Sequence, residues 1–402
     1  MAHPMKNIWF VSQYAGAPEI GMQYRQFLFC RELQKRGHRA SIISSNFSHL
    51  FNNTPKKTNQ TINGIYYHWV NSPRYKKSIS IGRFWNMLIF ALRILFLDDK
   101  NLGNPDLIVV SSPSMLPIVA ALKWKKKFNC KIFFEVRDIW PLTLQELGGL
   151  SKYHPLVLFM RYFEKMAYKK SDLILSLLPN AKEHFEAGGM ASHKFRYLPN
   201  GVETDQDNKN QIEEKLDLKL NAGDFVIGYG GSVGKANALH YLIEAAQILK
   251  THEHIHFVIV GKGDELENLK KQASLLKNVH FFPSMEKSKF LVTIKQFDLC
   301  YIGLEKEPLF RFGVSPNKLF DYMLAKRPIL FSIDSGNKPV EDAQCGWSVS
   351  SGDVQSIAKS IIEASNQPAD KLNFLGNNGY NYVIKNHSYK ILCDQLLSWL
   401  DE

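Results

Sequence analysis

Residues 225–246, FVIGYGGSVGKANALHYLIEAA, run from an apolar stretch through glycines into an amphipathic stretch that carries Leu239, Leu242, Ile243 and Ala246 on one stripe. The same grammar recurs at 255–270, IHFVIVGKGDELENLK, where a Gly-Lys-Gly turn precedes a helix expected to start near Asp264. Strand, glycine turn and helix in succession constrain a chain to a parallel sheet with helices across its faces. Gly230 and Gly231 lack side chains, so backbone amides there and at Ser232 can approach an anion, and Lys235 adds charge. Lys262 and Gly263 stand in the matching place on the second turn. One glycine turn often serves only as a tight bend, but two in sequence favour a cleft for a phosphorylated ligand.

A third segment, RFGVSPNKLFDYMLAKRPIL at 311–330, sharpens that reading. Ser315 is expected as N-cap and Pro316 at the first helical position, with Phe320, Met323 and Leu324 as the buried stripe. The free N–H groups of the first turn, from Asn317 to Leu319, and the positive end of the dipole favour an anion. Lys318 puts a full charge beside them, and Arg311 lies just upstream. Asp321, one turn deeper than Lys318, is placed to accept hydrogen bonds from paired sugar hydroxyls. An ordinary capped helix with a surface Lys and Asp accounts for this segment equally well when it is taken alone.

Strand-like and helix-like stretches alternate along the whole chain. Strands are expected at 8–12, 40–44, 107–111, 131–135 and 173–177, and again at 226–229, 256–260, 279–282, 299–302 and 328–333. The 402 residues exceed what one core usually organises, so two doubly wound α/β domains are expected: 1–202, 203–388, and a last helical segment at 389–402. The polar run ETDQDNKN at 203–210 reads as the linker. Its Asp205 and Asp207 form an Asp-x-Asp of the kind that holds a cation in transferases of another fold, but no strand precedes it, so no metal site is expected.

The net charge of +12 is unevenly spread. Residues 1–200 hold 28 Lys and Arg against 12 Asp and Glu, whereas residues 201–402 hold 22 against 26. A basic first half suits nucleic acid or an anionic membrane. No nucleic-acid motif is present, and the basic clusters adjoin apolar and aromatic runs, which favours the membrane and excludes nucleic acid as the expected partner. Residues 81–97 are helix-prone and rich in Phe, Trp, Leu and Ile, yet Arg83 and Arg93 interrupt them, and the run is short of the ~20 residues of a spanning helix. It is expected either to lie in the membrane interface or to be a buried helix of the first domain. The five cysteines show no metal or disulfide spacing, and the segment from Lys6 to Gln13 reads as a core strand rather than a secretory signal, so a cytoplasmic site is expected.

The run LPNGVE at 198–203, the glycine loop at 228–235, VGKGDE at 260–265 and SPNKLFDYM at 315–323 resemble, in order and spacing, the retaining glycosyltransferases of family four, of the two-domain GT-B type. EVRDIWP at 135–141 and the GMQYR and RELQKRGH stretches within 21–38 resemble members that build bacterial surface polysaccharides on lipid carriers. The resemblance implies a nucleotide-sugar donor, a lipid-linked saccharide acceptor, retention without metal or other cofactor, and a final helix from 389 that crosses back to the first domain. It implies donor contacts from Gly230, Gly231, Ser232, Lys235, Lys262, Gly263, Arg311 and Ser315 through Asp321. Lys318 would stabilise the leaving diphosphate. Asp138, with Arg137 before it, would face the acceptor along with Gly21 and Arg25. An Asp138 that merely caps the Trp140-Pro141 turn stays an equal alternative. Two positions depart from the family: Gly313 stands eight residues before Asp321 where a Glu is usual, and Arg137 stands where His is usual.

Two other functions fit parts of the sequence. A nucleotide-sugar epimerase on the same fold would need no acceptor and gives no reason for the basic, aromatic first half. A non-catalytic nucleotide-sugar-binding partner is compatible with Gly313.

Overall fold

A computed structural model describes residues 4–21, 24–76, 80–204, 216–218 and 220–402. Asp205 and Asp207, with most of the expected linker, lie outside the described residues. The chain divides into two compact units, residues 1–200 with 389–402, and residues 201–388.

The first unit holds an eight-stranded sheet made of β1 (Asn7–Val11), β2 (Arg39–Ser45), β3 (Asn59–Ile62), β4 (Ile65–Val70), β5 (Leu107–Ser111), β6 (Lys131–Val136), β7 (Leu173–Ser176) and β8 (Phe195–Tyr197). The order is β3-β4-β2-β1-β5-β6-β7-β8, parallel except for the β3–β4 hairpin. That hairpin turns on Asn63-Gly64, both at positive φ (48° and 81°), the two-residue geometry that matches strand twist. The central strands are buried end to end, as a sheet covered on both faces requires.

The last helix, Tyr389–Asp401, buries Tyr389, Leu392, Cys393, Leu396 and Leu400, a helical stripe that joins the same core as Phe29, Cys30 and Leu33. Arg36 ties it down by donating to Asp394 Oδ1 at 3.0 Å and the Lys390 carbonyl at 2.9 Å.

In the second unit β9 (Phe225–Ser232), β10 (Ile255–Lys262), β11 (Val279–Phe282), β12 (Leu299–Gly303), β13 (Ile329–Ser332) and β14 (Gly346–Val349) form one parallel sheet, ordered β11-β10-β9-β12-β13-β14. Alternate residues feed two cores. Phe225, Ile227, Tyr229, Phe257 and Ile259 face one, while Val226, Val258, Val260, Ile302 and Phe331 face the other. The fold class is therefore α/β with two parallel-sheet units, as the alternation of sequence signals indicates.

The differences from expectation have local causes. β3 and β4 were not anticipated, and neither were the short strands β8 and β14. The helix after the 311–330 turn begins at Asn317, with Pro316 in the extended cap position (φ −73°, ψ 130°) and no side-chain cap, so Ser315 is not the N-cap. Pro316 keeps an extended ψ, so it takes the cap position itself and the helix starts one residue later than expected. The helix after the second glycine turn starts at Leu266, two residues later than expected.

Candidate active site

In the second unit the glycine turns and the Asn317–Leu324 helix meet at the carboxyl ends of β9 and β10. The helix buries Leu319, Phe320, Tyr322 and Met323, leaving Lys318 and Asp321 half-buried on its other side. Its entry is clamped by Asn337, whose Oδ1 accepts from the Val314 N–H at 2.8 Å while its Nδ2 donates to the Val314 carbonyl at 3.0 Å.

Lys318 Nζ donates to the Tyr229 hydroxyl at 2.7 Å and to Asn237 Oδ1 at 2.6 Å. Tyr229 in turn donates to the Ser232 carbonyl at 2.6 Å, which fixes which lone pair it offers the lysine. Burial raises the Tyr229 hydroxyl well above its ordinary range, so it stays a donor at neutral pH. Burial also pushes Lys318 down to about 7, because both of these partners are neutral. Beside this ammonium lie the exposed backbone of Gly231 and Ser232 and the exposed Lys235. The result is a cation and a helix start beside the exposed end of β9, an arrangement that binds an anion.

Not every glycine serves that point. A Cβ on Gly230 would sit 1.7 Å from the Phe290 ring, and its N–H is donated to the Tyr322 hydroxyl at 2.9 Å, so Gly230 is a packing glycine rather than an anion contact. Gly263 is likewise held against the Val233 backbone, where a Cβ would meet the Val233 oxygen at 2.2 Å. Gly231 has a φ of 141°, which suits glycine, and lies next to the Lys318 side chain. Lys262 is exposed, and its carbonyl accepts from the Val233 N–H at 2.9 Å, which seats the two turns side by side. Arg311 is exposed, with its guanidinium 4.3 Å over the Phe312 ring. Gly313 has φ 100°, a backbone that disfavours the family's usual Glu at this position.

In the first unit a buried ion pair organises the ends of β5 and β6. Arg25 Nε donates to Glu135 Oε1 at 2.8 Å, and its other nitrogens donate to the Pro199 and Leu198 carbonyls at 2.5 and 2.9 Å. Burial alone would raise the Glu135 carboxyl; Arg25 and Arg137, with hydrogen bonds from Arg25 and Ser111, outweigh it and hold the group below the usual range. Arg25 is only 4% exposed, so the expected acceptor contact gives way to a structural role that anchors the LPN run. Gly21 is also a close-packing position: a Cβ there would lie 2.5 Å from the Leu50 carbonyl oxygen.

Asp138 follows β6, and its side chain is exposed while Arg137 is half-buried. Desolvation by the surrounding protein raises its carboxyl, against the pull of Arg137 and Arg83. The turn beyond is held by the Asp138 backbone, whose carbonyl accepts from the Trp140 N–H at 3.0 Å. Ser112 Oγ accepts from the Arg137 N–H at 2.9 Å. Arg83 Nε donates to the Tyr14 hydroxyl at 3.0 Å, and its guanidinium lies over the Trp140 ring.

Two family profiles account for most of the chain. That of Glycosyltransferase Family 4 matches residues 21–206, and that of Glycosyl transferases group 1 matches residues 210–382. The chain belongs to the GT-B glycosyltransferases. No curated protein sequence matches this glycosyltransferase. Among solved structures, a sucrose-phosphate synthase from Thermosynechococcus elongatus is similar at TM-score 0.73 and 16% identity, over 98% of this chain and 97% of that one. HepE of Anabaena, solved with UDP and glucose, is similar at TM-score 0.66 and 14% identity over 98% and 99%. WaaG, described as a glycosyltransferase involved in lipopolysaccharide biosynthesis, is similar at TM-score 0.64 and 15% identity over 98% and 99%. These likenesses establish the fold.

Tyr229, Asn237 and Arg83 were not anticipated as site residues. Tyr229 hides in an apolar strand run, where only its polar tip between glycines hints at a role. Asn237 sits in a loop whose one-turn helix, Lys235–Asn237, carries no periodic signal.

Proposed function

We propose that this glycosyltransferase moves a sugar from a nucleotide diphosphate donor, a UDP-sugar, to a lipid-linked saccharide acceptor in the assembly of bacterial O-antigen or capsule. The transfer proceeds with retention, without a metal, at the inner face of the cytoplasmic membrane. The observation that carries the donor half is the Lys318 amine, held by Tyr229 and Asn237 in the first turn of its helix and beside the exposed Gly231-Ser232 end of β9. HepE, which shares the fold, has been solved with UDP and with UDP-glucose, and this supports the choice of nucleotide.

The chemistry follows from where charge develops. As the bond between the anomeric carbon and the diphosphate oxygen lengthens, the sugar becomes oxocarbenium-like and negative charge builds on the leaving phosphate. Lys318, Lys235 and the first-turn amides of the Asn317–Leu324 helix stabilise that charge. Asp321 accepts hydrogen bonds from the ribose hydroxyls, with Arg311 and Ser315 beside the sugar. The acceptor hydroxyl attacks from the face the diphosphate leaves, and the departing phosphate oxygen takes its proton, so the new glycosidic bond keeps the original configuration. Asp138 and Arg137 orient the acceptor.

A screen of radiolabelled nucleotide sugars, with and without lipid-linked acceptor extracted from a polysaccharide-producing bacterium, tests the proposal. Transfer that requires the lipid-linked acceptor supports it. Conversion of a nucleotide sugar without any acceptor identifies an epimerase instead, and binding without turnover identifies a non-catalytic partner. A melting-temperature screen across nucleotide sugars finds the donor first, since a tight ligand raises stability by mass action.

A further inference from the structure

The first unit carries a groove of about 760 Å3 that the catalytic proposal does not use. It lies between the helix Ile81–Leu95, the short helix Leu142–Glu146 and the helix Pro155–Lys170. Its wall is apolar, with Phe84, Met87, Leu144, Leu156, Phe159 and Met160 as the main contributors. This volume falls within the roughly 300–1,000 Å3 of small-molecule clefts. Its polar lining comes from Ser80, Arg83, Trp140 and His154. Trp140 lies two residues past Asp138, and the charges of Arg83 and Asp138 interact. Ile81, which also lines the groove, is 78% exposed.

The charge around the groove is mostly positive. Arg83, Arg93, Lys152, Arg161 and Lys165 stand on or beside its flanking helices, whereas Glu146 and Glu164 are the only carboxylates in residues 81–97 and 142–170. Glu164 is buried and held by the Tyr168 hydroxyl at 3.1 Å, so it does not offset the rim. An apolar slot lined by an arginine and flanked mostly by basic side chains matches an amphiphile with an anionic head and a hydrocarbon tail. A soluble saccharide would leave the slot wet.

We propose that this groove is the seat of the acceptor's own lipid: the first part of a prenyl or alkyl chain lies along Phe84, Leu144, Phe159 and Met160, and the phosphate that joins the chain to the saccharide sits at Arg83. The inference rests on the reading of the acceptor as lipid-linked and gives that acceptor a place on the protein. It differs from surface adsorption, because a single chain is drawn out of the bilayer into a slot that Arg83 and Trp140 line.

The test uses the full chain without donor, so it stands apart from any failure of the transferase assay. Titration with prenyl and alkyl phosphates of increasing length, below their aggregation limits, is read by calorimetry. Affinity should rise about fourfold for each methylene that enters, until the groove is filled. The alcohol of equal length should bind about fivefold more weakly than its phosphate, and Arg83→Gln should remove that difference. Leu144→Trp, which fills the slot without adding charge, should abolish the length dependence while the melting temperature and nucleotide-sugar binding stay unchanged. Chain length without effect on affinity, or a Leu144→Trp protein that binds like the wild type, overturns the proposal. Concentration-dependent dimerisation that Leu144→Trp abolishes also overturns it, because a second copy of the chain would then be the occupant. If nucleotide sugar is transferred but every prenyl phosphate binds without regard to length, the transferase reading survives and this one does not.

Discussion

Lys318 Nζ lies 2.7 Å from the Tyr229 hydroxyl, across 89 positions of chain, because the Asn317–Leu324 helix packs against the carboxyl end of β9. The pairing is made by neutral acceptors, so the amine is oriented without a counter-charge of its own. An incoming diphosphate meets a group already in place and stabilises its charged form. Lys318→Ala should therefore lower turnover by ~100-fold or more, the scale of losing one preorganised stabiliser. Asp321→Ala should mainly raise the donor dissociation constant. Steady-state kinetics with the identified donor check both, and wild-type values in both variants would reject this placement of the donor.

The depressed Lys318 makes a signed prediction about pH. Its ordinary value is near 10.5, and in the fold it is about 7. Between these values the unfolded chain binds more protons than the folded one, so this group lets stability rise as pH climbs through that window; below 7 it is charged in both states and its burial is an unrelieved cost. A bound diphosphate reverses the preference and draws a proton onto the amine. Nucleotide-sugar binding at pH 8 should take up close to one proton, and at pH 6 almost none. Calorimetry in two buffers of different ionisation enthalpy measures this directly, and Lys318→Met should erase the difference.

The sheets were legible from sequence because their strands are buried on both faces and read as continuous apolar runs, as at Val226 and Ile259. Much of the site was not. Gly230 and Gly231 look alike in the sequence, yet one makes room for the Phe290 ring and the other borders Lys318, a distinction made by residues far along the chain. The β3–β4 hairpin was missed although Asn63-Gly64 announces it, because attention to apolar runs passes over the half-exposed strand Asn59–Ile62. Arg25 reads as a site residue by position, and only the fold reveals that Glu135 and two carbonyls occupy it. Asn237 had no local signal at all, since its role comes from a lysine on another element.

The Arg25–Glu135 pair is buried on both sides, at 3% exposure for each side chain. Arg25→Met leaves Glu135 charged without its guanidinium partner, and the loss should be about 3–5 kcal/mol. Adding Glu135→Leu removes the stranded charge and should restore much of that stability. Denaturant melts of the single and double variants decide the point; a double variant no more stable than Arg25→Met would count against the pair as the cause.

Restoring the family's glutamate at 313 should not restore a sugar contact. Gly313 has φ 100°, so Gly313→Glu strains the turn that leads to Val314 and the Asn337 clamp. The variant should lose roughly 1–3 kcal/mol of stability and some donor affinity. A gain in turnover with unchanged melting would show that the backbone adapts.

Metal independence is tested simply. With charge on the diphosphate met by Lys318, Lys235 and helix amides, transfer should survive EDTA at full rate. Activity that requires Mg2+ or Mn2+ and disappears in Asp205→Ala with Asp207→Ala would assign the cation role to the linker.

Membrane docking gives the last prediction. The helix Ile81–Leu95 uses Asn86, Met87, Phe90, Ala91 and Ile94 to pack on the first unit. Its other side shows Ile81, Trp85 and Leu92 to solvent, with Phe96 just past its end, so it is both anchored and apolar outside. No described helix is long and apolar enough to cross a membrane. An apolar outer face on an anchored helix is what lying in a membrane interface covers. Each basic residue near an anionic surface contributes ~1 kcal/mol, a term that salt screens, whereas burial of Trp85 and its neighbours is a term that salt does not screen. Vesicles containing anionic lipid should retain the protein at low salt, and high salt should weaken retention without abolishing it. Trp85→Glu with Leu88→Glu should remove the remainder while leaving the circular dichroism unchanged, because Trp85 is 52% exposed and Leu88 is half-buried. Sedimentation paired with circular dichroism reads both quantities on one sample, and a folded wild type that ignores anionic vesicles at every salt concentration would end the case for docking through this helix.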